Sequence, residues 1–455
     1  MGKQFLEITR KTEVDAIIAQ IAAEVARVRV GAGTGAGAGG SAEKVGISDI
    51  LGRIASSDIF SAIDVPTFDR AIMDGYAVVA SDTFYTDETN PISLIIKGYL
   101  SAGESPATSQ SVEKRYCIGI STGAPIPTGA NAVVKVEDTS EYTGDSDHGA
   151  IKKVKVYRPV APGENIMPAA SDIKRGEQIV RSGTTFTPRE TGILAACGIN
   201  EVYVRKKPTV AIISTGNELI APGEVLAPAK IYDVNAQTLC DSVRESGCIP
   251  HFAGIARDNI EEISLKLTES LEKGADVIIA TGGTSAGVDD LLLRAIEECA
   301  GAESKILVHG VDIKPGKPFI FGLLAEKPFF GLPGNPTPAL ITFSLFVAPL
   351  LRTISGTGTG TERRGYNEKR IEAKAAQRIF SERGRNEYVL VNIVPVPVPV
   401  KNSVKKQEEA SFLAYPILTG SGAITTLSKA EGYIFMEKGK EIIEEGDEVE
   451  VELLM

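Results

Sequence analysis

The feature that most restricts the fold is an alternation of strand and helix patterns between residues 207 and 301. The runs PTVAIIST, HFAGIA and DVIIATGG are short and apolar, as is typical of buried strands, whereas VNAQTLCDSVRESG and DDLLLRAIEECAG have helical patterns. Between the second and third strands, apolar residues from Ile260 to Leu271 recur on one helical face. This alternation predicts an α/β domain with a mainly parallel sheet.

Polar clusters follow these strands at the points where the strand patterns end. They are STGNE at 214–218, ARD at 256–258 and TGGTSAG at 281–287, and a turn with two lysines follows a fourth strand-like run. Because ligands of such sheets bind beyond the carboxyl ends of the strands, the four motifs are expected to meet at one edge. The sequence therefore predicts a single ligand site there.

The turn IKPGKP at 313–318, here called the lysine turn, is typical of a device that holds anions. Lys314 and Lys317 supply positive charge, and a second stiff turn, LPGNP at 332–336, follows the next apolar run. Glycines in both turns would let backbone N–H groups approach a ligand, and the apolar run from 339 to 351 offers a helix whose N-terminal amides would face the same place. The alternative is two rigid turns with two solvated lysines.

Several carboxylates near these motifs have a purely structural explanation. Asp258 and Glu261 are spaced as a helix capping box, and Asp233 stands where it would cap a helix from Val234. Capping does not explain Glu218, which follows Thr-Gly-Asn where a small polar residue would suffice.

Composition excludes several classes of function. A net charge of −11 argues against general nucleic-acid binding, and only three histidines make a histidine-based metal site or catalytic triad improbable. The five cysteines have no CxxC spacing, which argues against a disulfide framework or a structural zinc site. A charged N-terminus, and the expectation that no apolar run reaches the roughly 18 residues needed to span a bilayer, predict a cytoplasmic protein without a membrane anchor.

With 455 residues the chain is too long for one core, and its patterns predict a multidomain α/β plus β fold. The central domain would be doubly wound and mainly parallel, with an inserted β module, a linking domain and a small β-barrel-like domain at the C-terminus. The predicted domains are an N-terminal helical and linking segment at 1–57 with a glycine-rich loop at 31–41, an inserted β module at 58–158, a return of the linking domain at 159–200, the α/β domain at 201–355 and a C-terminal β domain at 356–455.

The whole set of motifs resembles the molybdenum insertase family, which includes the bacterial and archaeal MoeA proteins and the E domain of gephyrin. The resemblance covers nearly the whole chain. It rests on MDGYAV (73–78), GENIMPAASDIKRGE (163–177), STGNEL (214–219), IYDVN (231–235), TGGTSAG (281–287), IKPGKPFIFG (313–322) and GLPGNP (331–336), in the order of the family.

The resemblance implies an enzyme that cleaves the phosphoanhydride of adenylylated molybdopterin with Mg²⁺ and passes molybdate, or tungstate, to the dithiolene with release of AMP. It implies a homodimer that works beside the pathway's adenylyltransferase and the molybdoenzyme apoproteins. The acidic site residues that it implies are Asp74, Asp172, Glu218, Asp258 and Asp290, with Asp258 and Asp290 as metal ligands.

The resemblance also implies two sets of binding residues. The oxyanion contacts are Lys314, Lys317, Arg385 and Ser421. The substrate contacts are Thr215, Gly216, Gly282, Gly283, Thr284, Ser285, Gly334, Asn335 and Pro336, and the glycines of TGGTSAG suit close backbone contact with the pterin phosphate or the nucleotide. Pro338 departs from the family pattern, which commonly has serine or alanine there.

Two further readings remain open from the sequence. One is a pterin adenylyltransferase, because TGGTSAG and PGNP also resemble that sister enzyme, although MDGYAV and the C-terminal β module argue against it. The other is a non-catalytic scaffold like gephyrin in its receptor-clustering role, for which no partner-binding segment or long linker is visible. Release of AMP from adenylylated molybdopterin distinguishes the insertase from both.

Overall fold

The computed structural model describes residues 9–31, 42–105, 111–146, 149–282, 289–300, 304–357, 370–381, 386–396, 411–417 and 423–454. The chain forms two compact units, one made of Ala42–Arg205 and the other of Met1–Ser41 with Lys206–Met455. The first helix, α1 (Lys11–Gly31), belongs to the second of these. From residue 32 onward the predicted glycine-rich loop at 31–41 lies outside the described residues.

The unit Ala42–Arg205 is built mainly from short strands around a six-stranded sheet. In chain order its elements are β1 (Ala42–Gly46), β2 (Ile59–Phe60), β3 (Arg70–Ala71), β4 (Gly75–Val78), β5 (Ile92–Leu100), β6 (Tyr116–Ile120), β7 (Ala132–Lys135), β8 (Thr139–Ser146), β9 (Gly149–Val156), β10 (Ile166–Met167), β11 (Gln178–Val180), α2 (Pro188–Ala196) and β12 (Glu201–Arg205). The sheet has the order β7-β4-β6-β5-β9-β8. Apart from it, β1 pairs with β12 in antiparallel register, so both chain ends of this unit lie side by side.

The sequence-based domain boundaries remain predictions. At two places, the two compact units divide the chain at a different residue from the predicted domains. β12 starts at the predicted beginning of the α/β domain, residue 201, yet pairs within the other unit. The predicted N-terminal segment 1–57 is divided after Ser41, because α1 packs with the α/β domain while β1 belongs to the other unit. An apolar helix face indicates burial but not the surface that buries it.

The α/β domain follows from residue 206. Its elements are β13 (Thr209–Thr215), β14 (Leu219–Ile220), β15 (Ile231–Tyr232), α3 (Val234–Glu245), β16 (Ile249–Ala256), α4 (Ile260–Glu272), β17 (Val277–Thr281), α5 (Asp289–Ala300), β18 (Lys305–His309), β19 (Ile313–Lys314), β20 (Ile320–Leu324), β21 (Lys327–Leu332), α6 (Pro336–Thr342) and α7 (Ala348–Ser355). The sheet has the order β16-β13-β17-β21-β20-β18. Its first four strands are parallel, β20 is antiparallel to β21, and β18 is antiparallel to β20.

Helices cover both faces of this sheet, which confirms the doubly wound fold. Val210 and Ile212 of β13 face one core, which also contains side chains of α1, α3 and α7. Ala211 and Ile213 face the other core, with side chains of α4 and α5. A strand buried on both sides has no polar alternation, which is why PTVAIIST reads as a continuous apolar run.

The run Pro336–Ser355 corrects one expectation from the sequence. It is a 20-residue helical segment with mean hydropathy 1.5, long and apolar enough to span a bilayer, in which α6 and α7 are joined by a π-helical stretch at Phe343–Val347. However, 67 % of its most apolar window is buried within the protein. Core helices of soluble domains pass the same length test when they are covered on most sides.

The C-terminal domain contains a closed small barrel. Its elements are β22 (Arg370–Ala375), β23 (Ile379–Phe380), β24 (Asn386–Val396), β25 (Ser411–Pro416), α8 (Ile424–Lys429), β26 (Gly432–Met436), β27 (Ile442–Ile443) and β28 (Glu448–Leu453). The sheet runs β24-β25-β22-β28-β26, and β26 pairs again with β24, so the sheet closes on itself. The lysine turn joins this sheet, because β19 pairs with β24 in parallel register.

Candidate active site

A cavity of about 940 Å³ lies beyond the carboxyl ends of the four parallel strands. Its walls include Thr215 at the end of β13, Asp258 after β16, Gly282 after β17 and Asn335 after β21. The lysine turn forms a further wall, and Ile424 of α8 adds a contact from the C-terminal domain. The volume falls in the range of pockets that enclose a small organic ligand.

Most of the residues expected at the site line this one cavity. They are Thr215, Gly216, Glu218, Asp258, Gly282, Lys314, Lys317, Gly334, Asn335 and Pro336. Gly283, Thr284, Ser285, Arg385 and Ser421 lie outside the described residues, as does the side chain of Asp290, whose backbone begins α5. Asp74 and Asp172 belong to the unit Ala42–Arg205 and are not part of the lining.

Three loops of the cavity meet with almost no space between their backbones. Gly282 has φ 93°, and a Cβ there would stand 2.2 Å from the carbonyl oxygen of Thr215. A Cβ on Gly334 would stand 3.2 Å from the Cα of Gly282. The ends of β13, β17 and β21 can therefore come together only because these positions have no side chain.

We expect Gly282→Ala to lower the free energy of unfolding by about 2–5 kcal/mol, because it adds overpacking to the strain of a positive φ. Gly274→Ala is the matched control, since Gly274 has φ 76° and no atom within 4 Å of an added Cβ. Gly274→Ala should lower the free energy of unfolding by about 1–2 kcal/mol. Urea unfolding of both variants measures the difference, and equal losses would show that the strand ends separate easily.

The Asp258 side chain joins two of the loops and does not cap a helix. Its Oδ2 accepts the backbone N–H of Asn217 at 3.1 Å, and the Asn217 side-chain oxygen accepts the backbone N–H of Asp258 at 3.3 Å. The cap of α4 is Asn259, whose Oδ1 accepts the N–H of Glu262 at 2.8 Å. The expected capping box of Asp258 with Glu261 is thus wrong by one residue, because the Asn217 loop occupies the Asp258 carboxylate.

Glu218 is exposed at the mouth of the cavity, and its carboxylate lies over Gly216. A Cβ on Gly216 would be 2.9 Å from the Glu218 Oε2 atom, so a side chain at 216 would displace the carboxylate. The Lys230 ammonium donates a hydrogen bond to the carbonyl oxygen of Asn217 in the same loop. Sequence reasoning did not single out Lys230, because nothing in its neighbourhood in the chain marks it.

The lysine turn is held by the C-terminal domain. The Lys314 ammonium forms an ion pair with Glu387 of β24 at 3.1 Å, and Glu387 also accepts a hydrogen bond from the Ser381 hydroxyl at 2.8 Å. The backbone carbonyl of Lys317 accepts the N–H groups of Val311 and Phe319, which hold the backbone of the turn. Within the described ranges the Lys317 ammonium has no ion pair.

The start of α6 offers fewer amides to the cavity than the sequence suggested. The helix begins at Pro336, and Pro338 is also in its first turn, so of these three residues only Thr337 has a backbone N–H. Asn335 is the N-cap residue but makes no side-chain cap hydrogen bond. Positive charge in this cavity therefore comes mainly from lysines.

Asn235 is a positioning residue that sequence reasoning missed. Its side-chain amide donates to the Thr281 hydroxyl at 2.9 Å and to the Gly334 carbonyl at 2.7 Å. It thereby ties the start of α3 to the ends of β17 and β21. Asn235 stands in the IYDVN motif, and its partners lie 46 and 99 residues away in the chain, so no local pattern marks it.

The cavity can supply part of a Mg²⁺ site. Glu218 and Asp258 present hard oxygen ligands, and Mg²⁺ is commonly held by one or two carboxylates together with substrate phosphates and waters. Among the residues whose side chains the structure describes, no group of three or more acidic, histidine or cysteine side chains is placed to hold a metal ion. The donor set therefore fits an ion that is completed by its substrate and does not fit a preformed protein cage.

In the other unit, Asp74 is exposed at the turn before β4. Its Oδ1 accepts the backbone N–H of Thr122 at 2.7 Å and the Thr122 hydroxyl at 3.1 Å. This partner is distant in sequence, so the Asp74 carboxylate does not form a local Asx turn in these hydrogen bonds. Asp172 is exposed, and it forms no ion pair with Lys174 in the described part of the chain.

Tyr76 of the MDGYAV motif has a structural role. Tyr76 and Tyr99 both donate hydrogen bonds to the carboxylate of Glu141. These hydrogen bonds lower the pKa of Glu141, and the bond to Glu141, together with burial, raises the pKa of Tyr99 to about 12. These hydrogen bonds join the strands β4, β5 and β8 through their side chains. Tyr76 is thus used within the sheet, whereas Asp74 of the same motif is exposed.

Comparison with known proteins fits this arrangement in every region. Three family profiles match in order: MoeA N-terminal region (domain I and II) at residues 12–198, Probable molybdopterin binding domain at 211–353, and MoeA C-terminal region (domain IV) at 372–454. A molybdopterin molybdenumtransferase of Bacillus subtilis is 31 % identical over 419 residues, which cover 91 % of this chain and 90 % of that protein. The chain belongs to the MoeA family.

Further MoeA relatives agree. Molybdopterin molybdenumtransferase 2 of Mycobacterium tuberculosis is 33 % identical over 315 residues, covering 69 % of this chain and 75 % of that protein. The crystal structure of a molybdopterin biosynthesis MoeA protein from Pyrococcus horikoshii matches with a TM-score of 0.75 and 35 % identity over 99 % of this chain and 100 % of that one. The family resemblance and the fold class inferred from the sequence are confirmed.

Proposed function

We propose that this chain is a molybdenum insertase that cleaves adenylylated molybdopterin and transfers molybdate, or tungstate, to its dithiolene. The observation that carries the proposal is the presence of two carboxylates, Glu218 and Asp258, and two lysines, Lys314 and Lys317, in one cavity at a MoeA-type strand edge. A cavity with both signs of charge suits a substrate that is a polyanion and needs a cation. The relatives named molybdopterin molybdenumtransferase support the same activity.

In this proposal the lysine turn binds the oxyanion. An ammonium group gives a charge-assisted hydrogen bond to a dianion, which is stronger than a bond between neutral partners. Lys317 can reach toward a ligand without breaking an ion pair among the described residues, whereas Lys314 is already oriented by Glu387. Lys317 is therefore the adjustable contact and Lys314 the fixed one.

The carboxylates of Glu218 and Asp258 would hold Mg²⁺ together with the phosphates of the substrate. When bound, the ion neutralises charge on the phosphoanhydride and polarises its phosphorus–oxygen bonds. Asp258 is kept in place by its hydrogen bond with Asn217, and Glu218 has room to turn toward the ligand because residue 216 is glycine. Asp290, at the start of α5, is the third acidic residue of this proposal.

The proposal is tested by incubating the protein with adenylylated molybdopterin, Mg²⁺ and molybdate. We expect AMP to be released and a molybdenum-loaded cofactor to form, and tungstate is expected to compete because it has nearly the same size and charge. Consumption of ATP with molybdopterin would instead indicate the adenylyltransferase. Absence of both reactions would favour a scaffold.

We further propose a cytoplasmic homodimer in which Asp74 and Asp172 serve the site of the partner protomer. Protomers carrying Asp74→Ala mixed with protomers carrying Lys314→Ala should then regain part of the activity, because each heterodimer keeps one complete site. The measurement is AMP release from mixtures refolded or co-expressed at equal ratio. Mixtures no more active than their parents would exclude the shared site.

The substrate would come from the pathway's adenylyltransferase and the product would go to molybdoenzyme apoproteins.

A further inference from the structure

Asp233 caps α3 with one of its two carboxylate oxygens. Oδ1 accepts the backbone N–H of Ala236 at 3.0 Å, and the Asp233 N–H donates to the carbonyl of Ile220 at 2.9 Å. The residue is only 3 % exposed and lines the cavity. Its second oxygen, Oδ2, is buried and has no hydrogen-bond partner among the described residues.

Capping alone does not account for this choice of residue. Asparagine and serine cap helices about as well as aspartate, and neither brings a second buried anionic oxygen. Leaving such an oxygen without a partner is unfavourable, because a buried charged acceptor loses its hydration and gains nothing in return. An aspartate at this position therefore points to a group that Oδ2 meets when the cavity is filled.

The surroundings restrict what that group can be. A phosphate or an oxyanion would be repelled by the carboxylate. A metal ion shared with Glu218 and Asp258 is disfavoured, since no three acidic side chains in the described part of the chain come together. A neutral ligand that donates hydrogen bonds fits this oxygen. Thr215, also 3 % exposed and lining the cavity, has a hydroxyl without a partner among the described residues, so this polar surface extends beyond one atom.

We propose that Asp233 binds the 2-amino-4-oxopyrimidine edge of the pterin ring and is a specificity-determining residue of this site. That edge presents two neighbouring donors, the ring N–H and the amino group, which match a carboxylate. The adenine edge has an amino group beside a ring nitrogen that only accepts, and it suits a carboxylate less well. The inference rests on the proposed function, because it assigns the pterin end of the same substrate.

The test is Asp233→Asn, which keeps the cap and the size of the side chain but replaces the acceptor oxygen with a donor or a weaker acceptor. We expect its affinity for adenylylated molybdopterin to fall at least 10-fold, while its affinity for AMP, which lacks the pterin, changes less than twofold. The melting temperature should stay the same or rise, because a buried anionic oxygen without a partner is removed. Calorimetric or fluorescence titration gives both affinities.

Two more variants make the result specific. Asp233→Ser also caps and should lose pterin affinity in the same way. Asp241→Asn removes an equal charge from the exposed face of α3, where Asp241 accepts hydrogen bonds from Gln237 and Arg244, and this variant should bind as wild type does. Wild-type affinity in both Asp233 variants would overturn the inference while leaving the proposed function intact. Failure of the wild-type protein itself to bind adenylylated molybdopterin would instead overturn the proposed function.

Discussion

Replacing Lys317 with alanine is expected to lower the affinity for molybdate by roughly one to two decades, because one charge-assisted contact is worth about 1.5–3 kcal/mol. Adenylylated molybdopterin should still bind, since the cavity keeps its backbone loops and carboxylates. Among the described residues the Lys317 ammonium takes part in no ion pair, so its removal disturbs no other charge. Equilibrium dialysis with molybdate, beside titration with the adenylylated pterin, measures the two affinities.

Lys327→Ala is the control for the loss of one positive charge, because Lys327 is exposed at the start of β21 and does not line the cavity. Lys314→Ala should differ from both variants. It removes the cation that Glu387 contacts at 3.1 Å, so it should weaken the attachment of the lysine turn to the barrel as well as oxyanion binding. Wild-type molybdate affinity in Lys317→Ala would show that the lysine turn does not bind the oxyanion.

Replacing Asp258 with asparagine should reduce the rate of AMP release by at least about 10- to 100-fold, the loss typical of a damaged metal environment. The requirement for Mg²⁺ should shift to higher concentration at the same time, because one anionic oxygen is lost. The fold should be little affected, since Asn259 and not Asp258 caps α4. The measurements are AMP release over a range of Mg²⁺ concentrations and the melting temperature.

Asn259→Ala is the reciprocal control. It removes the hydrogen bond from Asn259 Oδ1 to the N–H of Glu262 and should lower stability by about 1 kcal/mol while AMP release stays near normal. The two variants thus test separately the charge of Asp258 and the helix cap that Asn259 provides. An Asp258→Asn protein that releases AMP at the wild-type rate would contradict the assignment of Asp258 to the metal site.

The adjacent pair Asp258 and Asn259 also shows where sequence reasoning reaches its limit. Both residues can cap, both stand before the same helical pattern, and each has a glutamate three residues later. Which of the two residues caps the helix depends on Asn217, 41 residues earlier, whose backbone N–H donates a hydrogen bond to the Asp258 carboxylate. Local pattern predicts that a cap exists, and tertiary contacts decide which residue provides it.

The α/β domain was easier to predict because its signals are local. Continuous apolar strands such as β13 and one-sided helices such as α4 follow from residue order, and the rule for parallel sheets then places their polar ends together. The run Pro336–Ser355 is harder to recognise, since interspersed serine and threonine hide its total length as an apolar helix. The ion pair of Lys314 with Glu387 joins residues far apart in the chain, so the hydrophobic periodicity of the sequence cannot predict it.

The pairing of β19 with β24 bears on how such a chain can change over time. Because the lysine turn is an added strand of the barrel, the α/β domain alone does not contain everything that holds this turn in place. A recombined gene that exchanged only the C-terminal barrel would replace Glu387 and Ile424 together, and so alter the charge and shape around Lys314 without touching the α/β sheet. The barrel is thus the part of the chain through which the surroundings of the lysine turn can change while the parallel strands stay the same.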